Sequence, residues 1–259
     1  MDDRPVLKTR LRAGSPAFGC WLETTCTIAA EIVAQAGYDC VMIDREHGPA
    51  SIREAISLMQ AVQGRDCTPL MRVPANDPVA IKRSLDAGVA GVMIPAVDTK
   101  AEAEAAVSAC RYPPHGRRGM AASIVRASNY GADWQDYVKR ADEELLVICQ
   151  IESGAAVQNA AEIAAVEGVD MLFIGPFDLS ASLGYLGEPD HGSVRSAIAS
   201  VEDAAKTAGC LLGAIPTPAR TVGDLLVAGY DLILVDADTM LLREGARQSV
   251  ARLREAFKR

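Results

Sequence analysis

Short apolar segments rich in Val, Ile and Leu alternate along the chain with longer segments whose apolar positions follow a helical period. This alternation predicts repeated βα units around a parallel sheet. The predicted strands span residues 18–22, 39–43, 69–73, 91–96, 145–151, 170–174, 210–215 and 231–235. The predicted helices span residues 28–36, 51–62, 78–87, 100–109, 155–165, 193–208, 219–228 and 239–257. Eight strands with intervening helices close most simply into a (β/α)8 barrel.

One long interval, residues 111–144, breaks this alternation between the fourth helix and the fifth strand. It carries two prolines and, further along, the aromatic residues Tyr130, Trp134 and Tyr137. Because a connection this long in a compact domain is usually functional, we expect a loop over the active face, with a short helix at residues 134–141. An ordinary surface excursion is the alternative.

Composition limits the class of protein. The chain has 259 residues, 49% of them hydrophobic, which suits one barrel domain over residues 1–259. The net charge is −8 and the basic residues are dispersed, so we expect no nucleic-acid partner. No apolar run approaches the ~20 residues that span a bilayer, and the charged N-terminus lacks the apolar part of a signal peptide, which predicts a cytoplasmic protein with no membrane partner. Seven cysteines, never spaced as C-x-x-C, are expected to be reduced thiols.

Polar residues follow several of the predicted strands. In a barrel of this kind the active site lies at the C-terminal ends of the strands, so side chains at those ends are brought together although they are distant in sequence. Each one alone is commonly a helix cap or a solvated strand end. Together they form the candidate site: Asp44, His47, Arg72, Glu152 and Asp178.

Glu152 and Asp178 offer the hard oxygen ligands that suit Mg²⁺ or Mn²⁺. Two protein carboxylates leave several positions free on an octahedral ion, and a 2-oxo acid can fill them through its carboxylate and keto oxygens. A divalent ion held in this way withdraws electrons from the carbonyl as a Lewis acid.

The other strand-end residues suggest proton transfer and charge stabilisation. His47, with Asp44 and Glu46 nearby in sequence, is a candidate proton shuttle, and a surface-loop histidine is the alternative. Arg72 can hydrogen-bond an enolate oxygen, or it can simply pair with the carboxylates.

The lysines narrow the mechanism. A Schiff-base aldolase needs a lysine at a strand end. All six lysines fall instead in predicted helices, in the termini or in the long interval: Lys8, Lys82, Lys100, Lys139, Lys206 and Lys258. A divalent metal is therefore the expected electron sink.

Several motifs occur in a characteristic order: G-C-W-L (19–22), I-D-R-E-H-G-P (43–49), L-D-A-G (85–88), R-Y-P-P-H-G-R-R-G (111–119), Q-I-E (150–152), E-G-V-D (167–170) and G-P-F-D-L-S (175–180). With these motifs the chain resembles the HpcH/HpaI family of class II 2-oxo acid aldolases, from about residue 18 to about residue 242.

This resemblance implies a (β/α)8 barrel of the phosphoenolpyruvate/pyruvate type and a divalent metal (Mg²⁺, Mn²⁺ or Co²⁺), with no organic cofactor. It implies that Glu152 and Asp178 hold the metal, that His47 and Asp44 handle protons, and that Arg72 steadies the keto oxygen. Further residues are implied near the substrate, namely Gln150, Pro176, Phe177 and Asp178, with Asp86 at a subunit boundary. Relatives form homo-hexamers, trimers of dimers, so the last helix, 239–257, is the candidate for exchange between subunits.

The expected reaction is reversible retro-aldol cleavage of a 4-hydroxy-2-oxo acid to pyruvate, or a related 2-oxo acid, and an aldehyde. The G-P-F-D and P-P-x-G-R-R-G motifs also resemble macrophomate synthase, which implies oxaloacetate decarboxylation as the alternative lyase reaction. A non-catalytic barrel that binds a metabolite is the alternative of another class. Arg117, Arg118 and Arg126 either meet an acidic acceptor aldehyde or pair with surface carboxylates.

Overall fold

The structure is a computed structural model that describes residues 6–257. Within them, eight parallel strands form a closed barrel in chain order, which confirms the predicted (β/α)8 fold. The strands are β1 (Ala17–Leu22), β2 (Cys40–Asp44), β3 (Thr68–Arg72), β4 (Gly91–Ile94), β5 (Leu146–Ile151), β6 (Met171–Ile174), β7 (Leu211–Ala214) and β8 (Leu232–Ala237).

The helices surround this barrel and also close one of its ends. They are α1 (Leu7–Arg12), α2 (Thr27–Gln35), α3 (Ile52–Val62), α4 (Pro78–Ala87), α5 (Lys100–Cys110), α6 (Trp134–Glu144), α7 (Gly154–Gln158), α8 (Ala160–Ala164), α9 (Pro176–Ser182), α10 (Gly192–Ala208), α11 (Val222–Ala228) and α12 (Asp238–Ala256). A 3-10 turn, Arg126–Gly131, precedes α6.

Several helices differ from the prediction for local reasons. The predicted helix over 155–165 is divided into α7 and α8, because Asn159 at their junction has φ −101° and ψ 5°. Helix α11 begins at Val222 rather than at 219, because Thr221 and Asp224 form a capping box there. Helix α6 ends at Glu144 rather than at 141. Helices α1 and α9 were not predicted, since both are only six or seven residues long.

The long interval does not cover the mouth of this barrel. Arg126 Nη1 donates to the carbonyl oxygen of Ala87 at 2.9 Å, and Arg118 Nη2 donates to Asp86 Oδ1 at 2.9 Å, so the interval packs against the C-terminal end of α4. In a βα unit that end of the helix lies at the N-terminal face of the strands. The expectation of a loop over this chain's own active face is therefore wrong. The alternative, an ordinary surface excursion, describes residues 111–144.

Helix α1 closes the N-terminal end of the barrel. Leu7 and Leu11 are buried against the interior side chains. Lys8 Nζ donates to the carbonyl oxygen of Leu145 at 3.0 Å and lies 3.0 Å from Asp170 Oδ1. A cavity of about 520 Å³ opens beside this helix and is lined by none of the strand-end site residues. The candidate site lies at the opposite, open mouth of the barrel.

The barrel interior is filled by large side chains, among them Trp21, Met42, Leu70 and Phe173. A second buried cluster lies between the strands and the helices. The rings of Trp21 and Phe173 meet edge to face, with their centroids 6.3 Å apart. Five of the seven cysteines, all of which are free thiols, are buried in these clusters. The interior is thus a packed core that supports the site from below.

Strand β8 carries an irregularity next to β1. The pairing register shifts between Gly19 and Cys20, which places Asp236 opposite Cys20. The Tyr38 hydroxyl donates to Asp236 Oδ2 at 2.7 Å. Asp236 therefore has a hydrogen-bond partner on the segment that leads into β2.

Helix α12 makes few contacts with its own barrel. Of its residues, only Asp238 is buried, while Leu242 is 72% exposed and Leu253 is 59% exposed. Among residues 6–257, no helix is both long enough and apolar enough to cross a membrane. Lys258 lies outside the described residues; of the other five lysines, none follows a strand end.

Candidate active site

The C-terminal ends of the strands bring together the residues expected from the sequence. Asp44 is the last residue of β2 and Arg72 is the last residue of β3, where the two occupy paired positions. Glu152 directly follows β5, and Asp178 lies in α9, just after β6. All four therefore belong to one rim of the barrel.

Asp44 and Arg72 form a buried ion pair. Arg72 Nε donates to Asp44 Oδ1 at 2.8 Å, and Nη2 donates to Oδ2 at 2.6 Å, a bidentate arrangement. Asp44 is fully buried and Arg72 is 7% exposed. Burial opposes ionisation of Asp44, but the hydrogen bonds and charge of Arg72 lower its pKa below the ordinary value. Both groups are therefore ionised at neutral pH.

The Arg72 guanidinium is fixed in orientation by two further contacts. Its central carbon lies 4.4 Å from the centroid of the Trp21 ring, and its Nη1 lies 3.1 Å from Glu46 Oε2. A guanidinium has five N–H donors; the hydrogen bonds to Asp44 engage two of them, and the Glu46 carboxylate lies beside a third, on Nη1. Two donors on Nη1 and Nη2 are left to bind a substrate oxygen.

Glu152 is held by its neighbours on the rim. The backbone N–H of Ala96 donates to Glu152 Oε1 at 2.8 Å, from a residue with a positive φ of 52°. The Gln150 amide donates to Glu152 Oε2. Gly175 packs closely here, since a Cβ at that position would lie 3.2 Å from Glu152 Cβ. The carboxylate is thus oriented by backbone and side chain together.

The electrostatics of Glu152 suit a cation. Burial raises the pKa of Glu152 above its ordinary value, and the charge of Asp178 adds to the rise, while the Ala96 N–H opposes it. Gln150 Oε1 beside it is buried without a hydrogen-bond partner. Among the described residues, no group of three or more His, Cys, Asp or Glu side chains is placed to hold a metal ion, so the pairing of Glu152 with Asp178 as metal ligands stays a prediction.

Helix α9 contributes the wall next to Asp178. Pro176 is its first residue and is buried, whereas Phe177 and Asp178 are exposed at the mouth. The first intrahelical donor is the N–H of Leu179, bound to the carbonyl oxygen of Gly175. The N–H groups of Phe177 and Asp178 therefore have no intrahelical acceptor, and they can bind a carboxylate, whereas proline has no N–H to offer.

His47 differs from the expectation. Its side chain is 63% exposed, and Nε2 lies 3.9 Å from Glu46 Oε2. In the described part of the chain, no side-chain hydrogen bond joins it to Asp44, whose oxygens accept from Arg72 and from the backbone N–H of Glu46 instead. Asp44 thus orients Arg72 rather than the imidazole. The proton-transfer role of His47 stays a prediction.

Comparison with known proteins identifies the family of the chain. The family model described as HpcH/HpaI aldolase/citrate lyase matches residues 17–252. The chain belongs to this family. A hydroxypyruvate/pyruvate aldolase from Chromohalobacter salexigens is 41% identical over 92% of this chain and 94% of its own. The chain is accordingly an enzyme of the carbon–carbon lyase class.

Solved structures of the family have the same barrel. An HpcH/HpaI aldolase/citrate lyase family protein from Burkholderia cenocepacia J2315 is 40% identical, with a TM-score of 0.91, over 96% of this chain and 98% of its own. Macrophomate synthase is 28% identical, with a TM-score of 0.85, over 98% of this chain and 89% of its own. The alternative of a non-catalytic barrel is therefore excluded by family membership.

Asp86 lies away from the barrel mouth. Its Oδ1 accepts a hydrogen bond from Arg118 Nη2, which also donates to the Tyr137 hydroxyl at 2.8 Å. Arg118 is 3% exposed. Arg118 and Arg126 thus have structural partners within the chain, which disfavours a role in binding an acidic acceptor at this chain's own site. The contribution of Asp86 to a neighbouring site stays a prediction.

Two carboxylates at the mouth were missed from the sequence. Glu23 directly follows β1 and is hydrogen-bonded to Asp44. Asp238 follows β8, and its oxygens accept from the backbone N–H groups of Glu23 and Thr24 at 2.9 and 3.1 Å. The rule that found Asp178, a polar residue just after a strand, also applies to both of them.

Proposed function

We propose that this chain is a divalent-metal-dependent aldolase that cleaves a 4-hydroxy-2-oxo acid into pyruvate, or a related 2-oxo acid such as hydroxypyruvate, and an aldehyde. The observation that carries the proposal is the rim itself, where a two-carboxylate site at Glu152 and Asp178 shares the barrel mouth with the buried Asp44–Arg72 pair. The similarity to the Chromohalobacter aldolase supports the substrate class.

The residues present fit a divalent ion. Burial and the Asp178 charge raise the pKa of Glu152, so a cation beside its carboxylate would stabilise the ionised form, and the unpartnered Gln150 Oε1 would supply a further oxygen. Glu152 and Asp178 would hold the ion. When bound, it would act as a Lewis acid on the carbonyl of the 2-oxo acid. Oxygen ligands accept Mg²⁺, Mn²⁺ and Co²⁺ alike, so we leave the choice among them to experiment.

The protein side of the reaction follows from the contacts. The N–H groups of Phe177 and Asp178 bind the substrate carboxylate, and the two free N–H donors of Arg72 bind the keto oxygen. His47 removes the proton of the 4-hydroxyl group, the C3–C4 bond breaks, and the aldehyde leaves. Arg72 stabilises the negative oxygen of the enolate until the proton held by His47 is delivered to C3. Asp44 keeps the guanidinium in place throughout.

A metal-replacement experiment tests this function. The protein is stripped with a chelator, and pyruvate release from a 4-hydroxy-2-oxo acid is followed with and without Mg²⁺, Mn²⁺ or Co²⁺. We expect release only after metal is added. Release at the full rate from the stripped protein would refute the metal dependence, and no release with any of the ions would refute the aldolase assignment.

Oxaloacetate decarboxylation is the second candidate, favoured by Phe177 in the G-P-F-D motif and by the similarity to macrophomate synthase. Loss of CO₂ from oxaloacetate gives the same pyruvate enolate, so the same residues serve both reactions. Oxaloacetate supplied without aldehyde separates the two. A decarboxylation rate far above the retro-aldol rate would favour the second candidate.

We also propose a homo-hexamer, a trimer of dimers, in which α12 packs on a neighbouring barrel. Exposed apolar side chains on α12, such as Leu242 and Leu253, support this, as do Ile28 and Ile32 on the outer face of α2, which are 67% and 62% exposed. Light scattering of the full chain measures the assembly. A monomer at micromolar concentration would contradict the proposal.

A further inference from the structure

Glu23 stands at the barrel mouth in a fixed position. Its backbone N–H donates to Asp238 Oδ1 at 2.9 Å, and Asp238 is only 5% exposed. Trp21, two residues earlier, points into the barrel beneath Arg72. Because side chains alternate along a strand, Glu23 continues on the same side as Trp21 and faces the site. The metal site and the proton shuttle described above make no use of it.

The Glu23 carboxyl contacts a carboxylate that already has its partners. It is hydrogen-bonded to Asp44, both of whose oxygens accept from Arg72. Two carboxyl groups in contact cannot both be ionised without strong repulsion, so one proton lies between them. Arg72 lowers the pKa of Asp44 against the effect of burial, whereas burial, with Asp44 adding to it, raises the pKa of Glu23 to about 7. The proton therefore resides on Glu23.

The charges around Glu23 come from several elements. Asp44 ends β2, Arg72 ends β3, and Asp238 begins α12. Glu46 and His47 lie in the loop after β2, with Glu46 paired to Arg72. Arg72 is thus one cation between two carboxylates, Asp44 and Glu46, and an ionised Glu23 would add a third carboxylate. It would compete for the two N–H donors that Arg72 keeps free for substrate.

We propose that Glu23 is a further positioning residue for the aldol reaction, whose protonated carboxyl donates a hydrogen bond to Asp44 and so keeps the free donors of Arg72 directed at the keto oxygen. This rests on the proposed function. When Glu23 loses its proton, the hydrogen bond to Asp44 is lost and the carboxylate draws Arg72 away from the substrate. Activity therefore falls as the pH rises through the pKa of Glu23.

The test compares two variants of Glu23 with a matched control. Glu23→Gln keeps an N–H donor for Asp44 but cannot ionise, whereas Glu23→Ala has neither property. Glu162→Gln makes the same chemical change at an exposed position on α8, away from the mouth. For each metal-loaded enzyme, kcat/KM for pyruvate release is measured from about pH 6 to about pH 9.

We expect the wild type and Glu162→Gln to lose activity by about tenfold between about pH 7 and about pH 8.5. Glu23→Gln should keep the low-pH activity of the wild type across this range. Glu23→Ala should stay about tenfold below the low-pH activity of the wild type at every pH, mainly through a higher KM for the 2-oxo acid. The same alkaline decline in Glu23→Gln as in the wild type would overturn the proposal.

A second measurement needs neither metal nor turnover. In the unfolded chain Glu23 ionises near its ordinary pKa, whereas the folded protein keeps the proton up to about pH 7. Wild-type stability therefore declines between those two values, while Glu23→Gln is spared that decline. The Tm of metal-free Glu23→Gln should rise relative to the wild type from about pH 5 to about pH 8.

These outcomes separate the two proposals. If no metal restores pyruvate release to the wild type, the aldolase function fails, and the Tm comparison still decides whether Glu23 holds the shared proton. If the wild type is active but the Tm difference is constant with pH, the shared proton is refuted while the aldolase function stands.

Discussion

Arg72 and Asp44 occupy paired positions on β3 and β2, and their side chains form two parallel hydrogen bonds of 2.8 and 2.6 Å at the barrel mouth. Backbone register and side-chain pairing thus reinforce one another. Because the pair sits on strands rather than on loops, the orientation of the guanidinium is determined by the barrel itself. The free donors of Arg72 are accordingly organised before substrate binds, which is the condition under which hydrogen bonds stabilise a developing oxyanion.

Removing one partner of this pair should be costly to stability. Asp44→Ala removes the two hydrogen bonds of the buried guanidinium and leaves Glu46 as its remaining ion-pair partner, so we expect it to lower the free energy of unfolding by about 3–5 kcal/mol. Arg72→Lys keeps a positive charge but loses the bidentate geometry, so kcat/KM should fall by about 10²–10³-fold with a smaller loss of stability. Urea unfolding and steady-state kinetics measure the two effects. An Asp44→Ala protein as stable as the wild type would show that the pair is not buried in solution.

The two carboxylates of the proposed metal site should behave in the opposite way. Since burial and the Asp178 charge raise the pKa of Glu152, the amide in Glu152→Gln removes an unfavourable charge from the metal-free protein. We expect Glu152→Gln and Asp178→Asn to abolish metal-dependent activity without lowering the Tm of the metal-free protein. Calorimetric titration with Mn²⁺ should show at least tenfold weaker binding than to Glu162→Gln. Unchanged affinity in both variants would exclude these ligands.

The sequence predicted most of this site because strand ends converge in any barrel of this type. Arg72, Glu152 and Asp178 could be placed on one rim from the strand pattern alone. The partner of Asp44 could not be placed in this way, because Arg72 and His47 are both within reach of a residue at that strand end, and only the register of β2 and β3 selects Arg72.

Other differences also have physical causes. The strand and helix pattern does not predict the short helix α9, because its seven residues offer too few positions to show a helical period. The long interval was placed over the active face on its length alone, whereas the contacts of Arg118 with Asp86 and Tyr137 determine where it packs. Because contacts of this kind join residues distant in sequence, the local hydrophobic pattern of the chain does not predict them.

His47 should affect the chemical step and little else. Its imidazole is 63% exposed and contacts only Glu46 among the described charged groups, so His47→Ala should leave the Tm within about 1 °C of the wild type. If it removes the 4-hydroxyl proton, kcat should fall by about 10²–10⁴-fold while metal affinity stays the same. Decarboxylation of oxaloacetate has no hydroxyl proton to remove and serves as the internal control. An equal loss in both reactions would assign His47 a different role.

Helix α1 allows stability to be separated from activity. Leu11 is 1% exposed where it closes the N-terminal end of the barrel, so Leu11→Ala should cost about 2–5 kcal/mol of unfolding free energy through the cavity it leaves. The active rim lies at the other end, and kcat/KM at 25 °C should remain within about twofold of the wild type. Urea unfolding and pyruvate release at the same temperature test both parts. A large loss of activity in a folded protein would show that the two ends are coupled.

Phe177 should control which aldehydes are accepted. Its ring is 46% exposed at the mouth, one residue before the proposed ligand Asp178, so it borders the space beyond the bound 2-oxo acid. Phe177→Ala removes that wall while the backbone N–H that binds the carboxylate is kept. We expect about tenfold higher kcat/KM for branched or aromatic aldehydes and little change for small ones. Adding or losing one contacting group in a pocket changes the discrimination between two substrates by about 1–3 kcal/mol. Since the ring is half exposed, the Tm should change little. If Phe177→Ala instead altered the KM for pyruvate and left aldehyde preference unchanged, the ring would border the 2-oxo acid, and the acceptor would have to be bounded by other residues of the rim.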